Sequence, residues 1–223
     1  KQGAFTNFKT ISTSEFNHDF VYGDVLSSSY PLTASISVDR YSATLTTAKK
    51  KVLYALRNTL NHHSKLSMHY AYSSDHGDKE TQSLNIVSIP SIFYGSNMQK
   101  GSVVLKYYIT GSVAAEASDI KRNGELIQTS GSSTGQTVGV VLYNEGFIIL
   151  TSSAAISTHP EKYLESADFS PVSASWQYFG VTSSALNASS SSYDLQFNGT
   201  SYINTLTMLA HAKENQLNFS NNT

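Results

Sequence analysis

One short stretch of the chain concentrates the residue types that bind metal ions. It holds four histidines and two aspartates, namely His62, His63, His69, His76, Asp75 and Asp78. Adjacent histidines on a regular element point in different directions, and no pair shows the His-x-x-x-His spacing on a recognised helix that zinc sites use. The pattern therefore favours solvent-facing or hydrogen-bonded loop histidines, and we expect no metal.

Other catalytic constellations are equally weak. Asp75-His-Gly-Asp-Lys-Glu80 lacks the alternating ligand spacing of a calcium loop. His18-Asp19 and His159 stand among many serines, but no Gly-x-Ser-x-Gly elbow accompanies them, and a triad depends on geometry that scattered residue types do not define. No phosphate loop and no pair of catalytic acids is evident. We expect no enzymatic activity and no cofactor.

Aromatic residues offer a different chemistry, because the chain has 14 tyrosines and a single tryptophan, Trp176. Flat amphipathic rings are typical of carbohydrate-binding and paratope-like surfaces. Tyrosines in strands also pack half-buried, which is the interpretation the sequence favours.

The elements that must position these residues are mostly strands. Four short apolar runs have strand length: Ile86–Ile89, Val103–Ile109, Val138–Tyr143 and Phe147–Leu150. Asn144-Glu145-Gly146 supplies a glycine for a tight reversal between the last two runs. Thr110-Gly-Ser112 and Asn123-Gly124 are further turn signals, and the second is typical of two-residue hairpins.

One amphipathic helix is predicted near residues 47–60. Val52, Leu53, Leu56 and Leu60 recur at helical spacing. Thr46 or Thr47 would cap this helix, and Asn61-His-His-Ser64 would end it. Lys49-Lys-Lys51 near its start indicates a solvated charged turn, with contact to an acidic partner or a phosphate as the alternative.

The chain divides into three predicted segments: an amino-terminal arm or short strands over residues 1–45, a helix plus β core over 46–153, and a second β region over 154–223. Tyr193–Phe197 alternates strictly, so a hairpin turning at Asn198-Gly199 and returning along Tyr202–Leu209 is predicted. The last segment is expected to continue into further chain. The predicted subunit contacts are aromatic or apolar residues near the two termini: Phe5, Phe8, Phe16, Leu217 and Phe219.

Composition narrows the class of protein. Charged residues make up 14% of the chain, against about 25% in typical soluble proteins. Weakly charged surfaces suit large assemblies, since fewer charges lose water when subunits pack together.

The formal charge of -1 gives no electrostatic reason to bind nucleic acid or an anionic membrane. No apolar stretch approaches the roughly 20 residues of a membrane span. Cysteine is absent, so packing and backbone pairing must hold the fold.

Three phrases carry a family resemblance: Ile89-Pro-Ser-Ile-Phe-Tyr-Gly95, Lys121-Arg-Asn-Gly-Glu-Leu-Ile-Gln128 and Gly139-Val-Val-Leu-Tyr-Asn-Glu-Gly-Phe-Ile-Ile-Leu150. With Leu53–Leu60 and His69–Ser74, the resemblance covers about half the chain. In these phrases the chain resembles large virion structural proteins of T4-like tailed phages of marine bacteria. The resemblance implies a part of the tail, baseplate or neck, and it transfers no catalytic residue.

We therefore expect a mainly β protein with antiparallel, sandwich-like sheets and one helix. The expected function is assembly into a virion, in the host bacterial cytoplasm, through contacts with copies of itself and with other virion proteins. The alternative is a receptor- or glycan-binding β module, such as a fibre or adhesin domain, whose Tyr and Trp side chains line a shallow groove.

Overall fold

The computed structural model describes residues 25–31, 36–43, 50–163, 171–181, 183–184 and 191–202. Its longer strands are β1 (Val25–Pro31), β2 (Ser37–Tyr41), β5 (Leu84–Ser88), β7 (Val104–Ile109), β8 (Ser112–Ser118), β9 (Glu125–Ser130), β10 (Thr137–Leu142), β11 (Phe147–Leu150), β12 (Ala155–Tyr163), β13 (Val172–Ser175) and β15 (Ser191–Thr200). The short strands are β3 (Ser73–Ser74), β4 (Gly77–Asp78), β6 (Asn97–Met98) and β14 (Ser183–Ser184). The helices are α1 (Lys51–Ala55), α2 (Arg57–His63) and three 3₁₀ turns at Met68–Tyr70, Ser91–Phe93 and Trp176–Tyr178.

Ten strands form one antiparallel sheet. Nine of them follow the order β1-β15-β7-β8-β9-β10-β11-β5-β2, and β6 pairs with β15 beside that path. Side chains from β15 and β5, six strands apart along the path, share one apolar cluster through Leu195 and Val87. Because neighbouring strands lie about 4.8 Å apart, a flat sheet would hold these side chains far from each other, so the sheet curls around its core. The prediction of a mainly β, antiparallel fold is confirmed.

The middle of the sheet is buried on both faces. Along β10, Val141 belongs to the core inside the curl, whereas Val140 and Leu142 belong to a second cluster on the opposite face. On β11, Ile148 and Ile149 divide in the same way. Two buried faces explain why these strands read as continuous apolar runs, whereas a strand with one wet face alternates with polar residues.

The two helices cover the outer face of this region. Leu53, Leu56 and Leu60 are buried there, as the helical spacing predicts. The helix is interrupted at Leu56, whose backbone ends α1 and begins α2. It ends at His63 with Ser64 as its C-cap, within the segment Asn61-His-His-Ser64 that was predicted to end it and three residues beyond the predicted bound of residue 60. The proposed Thr46 and Thr47 caps lie outside the described residues.

Trp176 fills the core inside the curl. Its indole is fully buried and its Nε1 donates to Gln128 Oε1 on β9 at 2.9 Å. Phe179 follows in the same cluster, and its carbonyl accepts from Asn85 Nδ2 on β5 at 2.6 Å. The segment from β13 through the Trp176–Tyr178 turn therefore ties β9 to β5 across the curl.

Of the two Asn-Gly predictions, the turn at Asn123-Gly124 is confirmed but is not a two-residue hairpin, and the turn at Asn198-Gly199 is wrong. Asn123-Gly124 belongs to a longer connection between β8 and β9, whereas the two-residue hairpin lies at Thr110-Gly111, where both φ angles are positive (50° and 79°). Asn198-Gly199 lies inside the continuous strand β15. A Cβ on Gly199 would come within 2.6 Å of Tyr94 Cα, so this glycine serves a close backbone approach and makes no turn.

Strands from all three predicted segments join the same sheet. β1 and β2 precede residue 46, β15 follows residue 153, and each pairs with a strand of the large sheet. The five predicted subunit contacts, Phe5, Phe8, Phe16, Leu217 and Phe219, lie outside the described residues.

Candidate functional site

A polar cleft opens at one end of the sheet. Antiparallel pairing brings to this end the connections before β7, between β8 and β9, and between β10 and β11, together with the residues that follow β15. The cleft has a volume of about 250 Å³. Its lining residues are His63, Leu66, Tyr70, Asn97, Lys100, Asn123, Val141, Tyr143, Asn144, Glu145 and Tyr202.

Two buried tyrosines contribute to the lining. The Tyr70 hydroxyl donates to the carbonyl of Val141, a contact that only a glycine at position 124 permits, since a Cβ there would overlap the phenol oxygen. The Tyr143 hydroxyl donates to Asp119 Oδ2 at 2.6 Å. Both hydroxyls are thus engaged with the protein, so these side chains offer the cleft mainly their rings.

Asp119 anchors the loops behind Tyr143. Its carboxylate is fully buried and also accepts from the backbone N–H groups of Gly101 at 2.7 Å and Val103 at 3.0 Å. Burial raises the pKa of Asp119, while these hydrogen bonds oppose that rise. This one carboxylate therefore fixes the loop before β7 against the ring of Tyr143.

The same surroundings keep the tyrosines neutral. Burial raises the pKa of Tyr70 strongly, and the nearby carboxylate of Glu145 adds to the rise. Burial and the contact with Asp119 raise the pKa of Tyr143. Neither phenol is therefore a base at neutral pH.

The polar groups of the cleft combine amides with one charge of each sign. Asn123 uses its Oδ1 to accept from the Glu125 N–H at 3.1 Å, and Asn144 is exposed. Lys100 lies with its Nζ 5.8 Å from the centre of the Tyr143 ring. Glu145 supplies the one carboxylate among the described lining residues, and its Oε2 is buried without a hydrogen-bond partner.

Two exposed side chains contribute apolar surface to the lining. Leu66 is 54% exposed and Tyr202 is 64% exposed. The Tyr202 hydroxyl accepts from Asn97 Nδ2 at 3.4 Å, and its backbone N–H donates to Ser96 Oγ at 3.1 Å. Tyr202 is therefore held at the cleft by β6 while its ring remains accessible.

The histidines considered as metal ligands separate into two places. His69 and His76 bring their rings to 4.5 Å, whereas His63 packs beside Tyr70 and lines the cleft. Within the described ranges, no group of three His, Asp or Glu side chains could hold a metal ion. Asp78 instead accepts from the Glu80 N–H at 2.9 Å. Burial, followed by the electrostatic influence of His76, lowers the pKa of His69.

Two interpretations of the sequence, of Trp176 and of Lys50, are wrong. Trp176 is fully buried and cannot line a groove, as the glycan-binding alternative required. Lys50, predicted to lie in a solvated turn, is buried and its ammonium donates to the carbonyl of Glu80. Burial lowers the pKa of Lys50, and Glu80 and Asp78 oppose that change.

No local pattern in the sequence predicts the cleft as a site. Asn144 and Glu145 are predicted turn residues, and this is the available signal, but Asn97 and Tyr202 are far apart in sequence and no local pattern joins them.

Comparison with protein-family models, curated proteins and solved structures finds no match to this chain. Within the part of the chain that is described, no helix has the length and apolar character to cross a membrane.

Proposed function

We propose that this chain is a structural subunit of a tailed-phage virion, which acts by assembling with copies of itself and with other virion proteins in the tail, baseplate or neck. Assembly would take place in the cytoplasm of the host bacterium. The observation that carries the proposal is an uncharged strand at one edge of the large sheet, whose outer edge pairs with no strand in the described part of the chain.

That strand is β1. Among the described strands, none pairs with its outer edge, and its only partner is β15. Its sequence, Val-Leu-Ser-Ser-Ser-Tyr-Pro, contains no charged residue. Natural proteins usually protect such edges with charges, prolines, bulges or short strands, because unpaired N–H and C=O groups invite pairing with another chain. The single proline of β1, Pro31, is its last residue and leaves the preceding six positions able to donate. A seven-residue edge with none of these charges suits pairing with a neighbour.

The opposite edge strand, β2, is different. Asp39 is exposed, and the Arg40 guanidinium donates to the carbonyls of Tyr41 at 2.6 Å and Leu84 at 3.1 Å. Charges of this kind discourage edge pairing. The contrast favours β1 as the assembly edge.

The phrases that resemble phage proteins support a scaffold role. Gly139–Leu150 forms β10, β11 and their connection, whose apolar residues fill the two core clusters. Ile89–Gly95 includes the backbone against which Gly199 packs. The resemblance is therefore carried by residues that build a stiff sheet.

The test introduces one charge into the proposed edge. We expect the purified chain to self-associate in analytical ultracentrifugation, and Ser28→Lys at the centre of β1 to shift it to monomer by desolvation and like-charge repulsion across the interface. Ser37→Lys on β2 is the matched control, since it adds the same charge to the other edge strand and is expected to leave association unchanged. A monomeric wild-type chain, or equal association of wild type and Ser28→Lys, would contradict the proposal.

A further inference from the structure

The lining of the cleft at the end of the sheet matches the chemistry of a sugar ring. We infer that the cleft binds a single neutral sugar residue, such as the terminal residue of a glycan. This inference goes beyond the proposed assembly function, because it assigns a ligand to a surface that is distinct from the edge of β1.

The balance of charge points to a neutral ligand. Lys100 and Glu145 place one positive and one negative charge around the cleft, and the remaining polar groups include three asparagine side chains. An anionic ligand would need an excess of positive groups, and a cationic one an excess of carboxylates. A neutral polyol satisfies both signs, since each hydroxyl can donate to the carboxylate and accept from an amide or the ammonium.

One oxygen of the Glu145 carboxylate in the cleft lacks a hydrogen-bond donor among the described residues. This oxygen, Glu145 Oε2, is also buried. A buried acceptor without a partner is costly, and such groups in native structures are rare and call for an explanation. A sugar hydroxyl that enters beside Glu145 and displaces the groups covering Oε2 would supply the missing donor, and hydrogen bonds to a carboxylate are stronger than those between neutral groups.

The aromatic residues supply the other half of sugar recognition. The Tyr202 ring is 64% exposed, and its attachment to Asn97 and Ser96 holds it at the cleft. A sugar ring presents an apolar face of C–H groups, and burying this face against a tyrosine releases water from both surfaces. Tyr143 contributes a second ring, whose orientation is fixed by its bond to Asp119.

The size of the cleft limits the ligand to one ring. Sites for drug-sized ligands occupy about 300–1,000 Å³, and the cleft, at about 250 Å³, lies just below that range. Several sugar residues would not fit inside it, so a longer glycan would project past Leu66 and Tyr202 into solvent.

The experiment measures weak binding to the purified chain directly. Saturation-transfer difference NMR is run with four neutral sugars, namely glucose, galactose, mannose and N-acetylglucosamine, and with sialic acid as an anionic sugar. Binding of inorganic phosphate is followed separately by ³¹P line broadening. We expect at least one neutral sugar to bind more tightly than sialic acid or phosphate. Binding of none of the neutral sugars, or preferential binding of either anion, would overturn the inference.

Two variants locate the binding site. Glu145→Gln is expected to weaken sugar binding about tenfold, because it replaces a charged acceptor by a neutral one. Tyr202→Ala removes the accessible ring and is expected to weaken binding about three- to tenfold. Tyr54→Ala is the matched control for Tyr202→Ala, since Tyr54 is 53% exposed and lies outside the cleft.

Tyr202 is largely exposed, so its removal tests the site without disturbing the core. Wild-type affinity in both Glu145→Gln and Tyr202→Ala would refute the assignment even if a sugar binds elsewhere. The association of Ser28→Lys and Ser37→Lys is measured separately, so failure of sugar binding and failure of assembly are distinguishable outcomes.

Discussion

Lys79 provides a quantitative test of the packing around the short β3–β4 hairpin. Its side chain is 4% exposed, and its Nζ donates to the carbonyls of His69 at 2.8 Å and Ala71 at 2.5 Å. Burial lowers the pKa of Lys79 from its ordinary value of 10.5 to about 8, although the carboxylate of Asp78 opposes the change. The folded protein should therefore release this proton at a lower pH than the unfolded chain does.

The sign of the effect on stability follows from proton binding. Between about pH 8 and pH 10.5, the unfolded state binds more protons at this site than the folded state, so the free energy of unfolding rises with pH. The two pKa values differ by about 2.5, which corresponds to on the order of 3 kcal/mol over the whole window. About 1.5 kcal/mol of this rise falls between about pH 8 and pH 9.5, before unfolded tyrosines ionise near their ordinary pKa.

The assay is urea-induced unfolding at closely spaced pH values from about 7.5 to 9.5, for wild type, Lys79→Met and Lys51→Met. Lys79→Met keeps an unbranched side chain but cannot titrate, so we expect it to lack the rise of about 1.5 kcal/mol, whatever its stability at pH 7.5. Lys51 is exposed, and Lys51→Met is expected to keep the wild-type dependence on pH.

The slope against pH, and not the absolute stability, decides this prediction. If Lys79→Met shows the same rise as wild type, another group is responsible and Lys79 is not held in the folded state as described. A flat profile in the wild type would equally refute the reasoning, because a buried ammonium with a lowered pKa must produce the rise.

Three further predictions concern stability and are checked by urea-induced unfolding at neutral pH. Gly199→Ala is expected to lower the free energy of unfolding by about 1–3 kcal/mol, because the added Cβ overlaps the backbone of Tyr94. Gly111→Ala is expected to lower it by about 1 kcal/mol, because open space surrounds this glycine and only its positive φ resists the change. Equal costs of the two substitutions would contradict the close approach at Gly199. Trp176→Phe is expected to cost about 2–4 kcal/mol, since it leaves a cavity and removes the donor to Gln128, and a cost below about 0.5 kcal/mol would contradict its place in the core. Asp119→Asn is expected to cost about 2–3 kcal/mol, because an amide cannot accept all three hydrogen bonds, and wild-type stability would show that the loops do not depend on this carboxylate.

The sequence predicted the middle of the sheet well because its information is local. Val138–Tyr143 and Phe147–Leu150 are apolar on both faces, and Gly146 adopts a φ of 74° in the connection between them. Length and composition therefore sufficed to identify β10 and β11 and the reversal. The helix was found for the same reason, since Leu53, Leu56 and Leu60 face one cluster.

The Asn-Gly dipeptides show why local rules fail elsewhere. Gly199 satisfies the pattern of a turn, yet its structural reason is the backbone of Tyr94, about a hundred residues earlier. Lys79 lies in the polar stretch Asp75–Glu80, which is typical of a solvated turn. Its ammonium is nevertheless buried and donates to the carbonyls of His69 and Ala71. In both cases a long-range contact overrides the local preference, and no spacing in the sequence records that contact.

The candidate cleft escaped prediction for a related reason. Its residues come from five separate stretches of the chain, and only antiparallel pairing brings Asn97 beside Tyr202. Each residue alone is typical of a turn or a loop. The chemistry lies in their combination, which requires the register of β15 against β6.

The proposed assembly edge and the cleft are separate surfaces that meet at one point. Val25 of β1 pairs with Thr200, two residues before Tyr202, so the start of the edge strand lies next to the cleft. Ser28 pairs with Phe197, about three residues further along, or about 10 Å away. A neighbouring subunit that pairs along β1 would therefore reach Tyr202 without filling the cleft. If both proposals hold, Ser28→Lys should abolish association and retain sugar binding, whereas Glu145→Gln should weaken sugar binding about tenfold and retain association. Loss of both properties in a variant that unfolds at the same urea concentration as the wild type would show that association and sugar binding are coupled, which contradicts their assignment to independent surfaces.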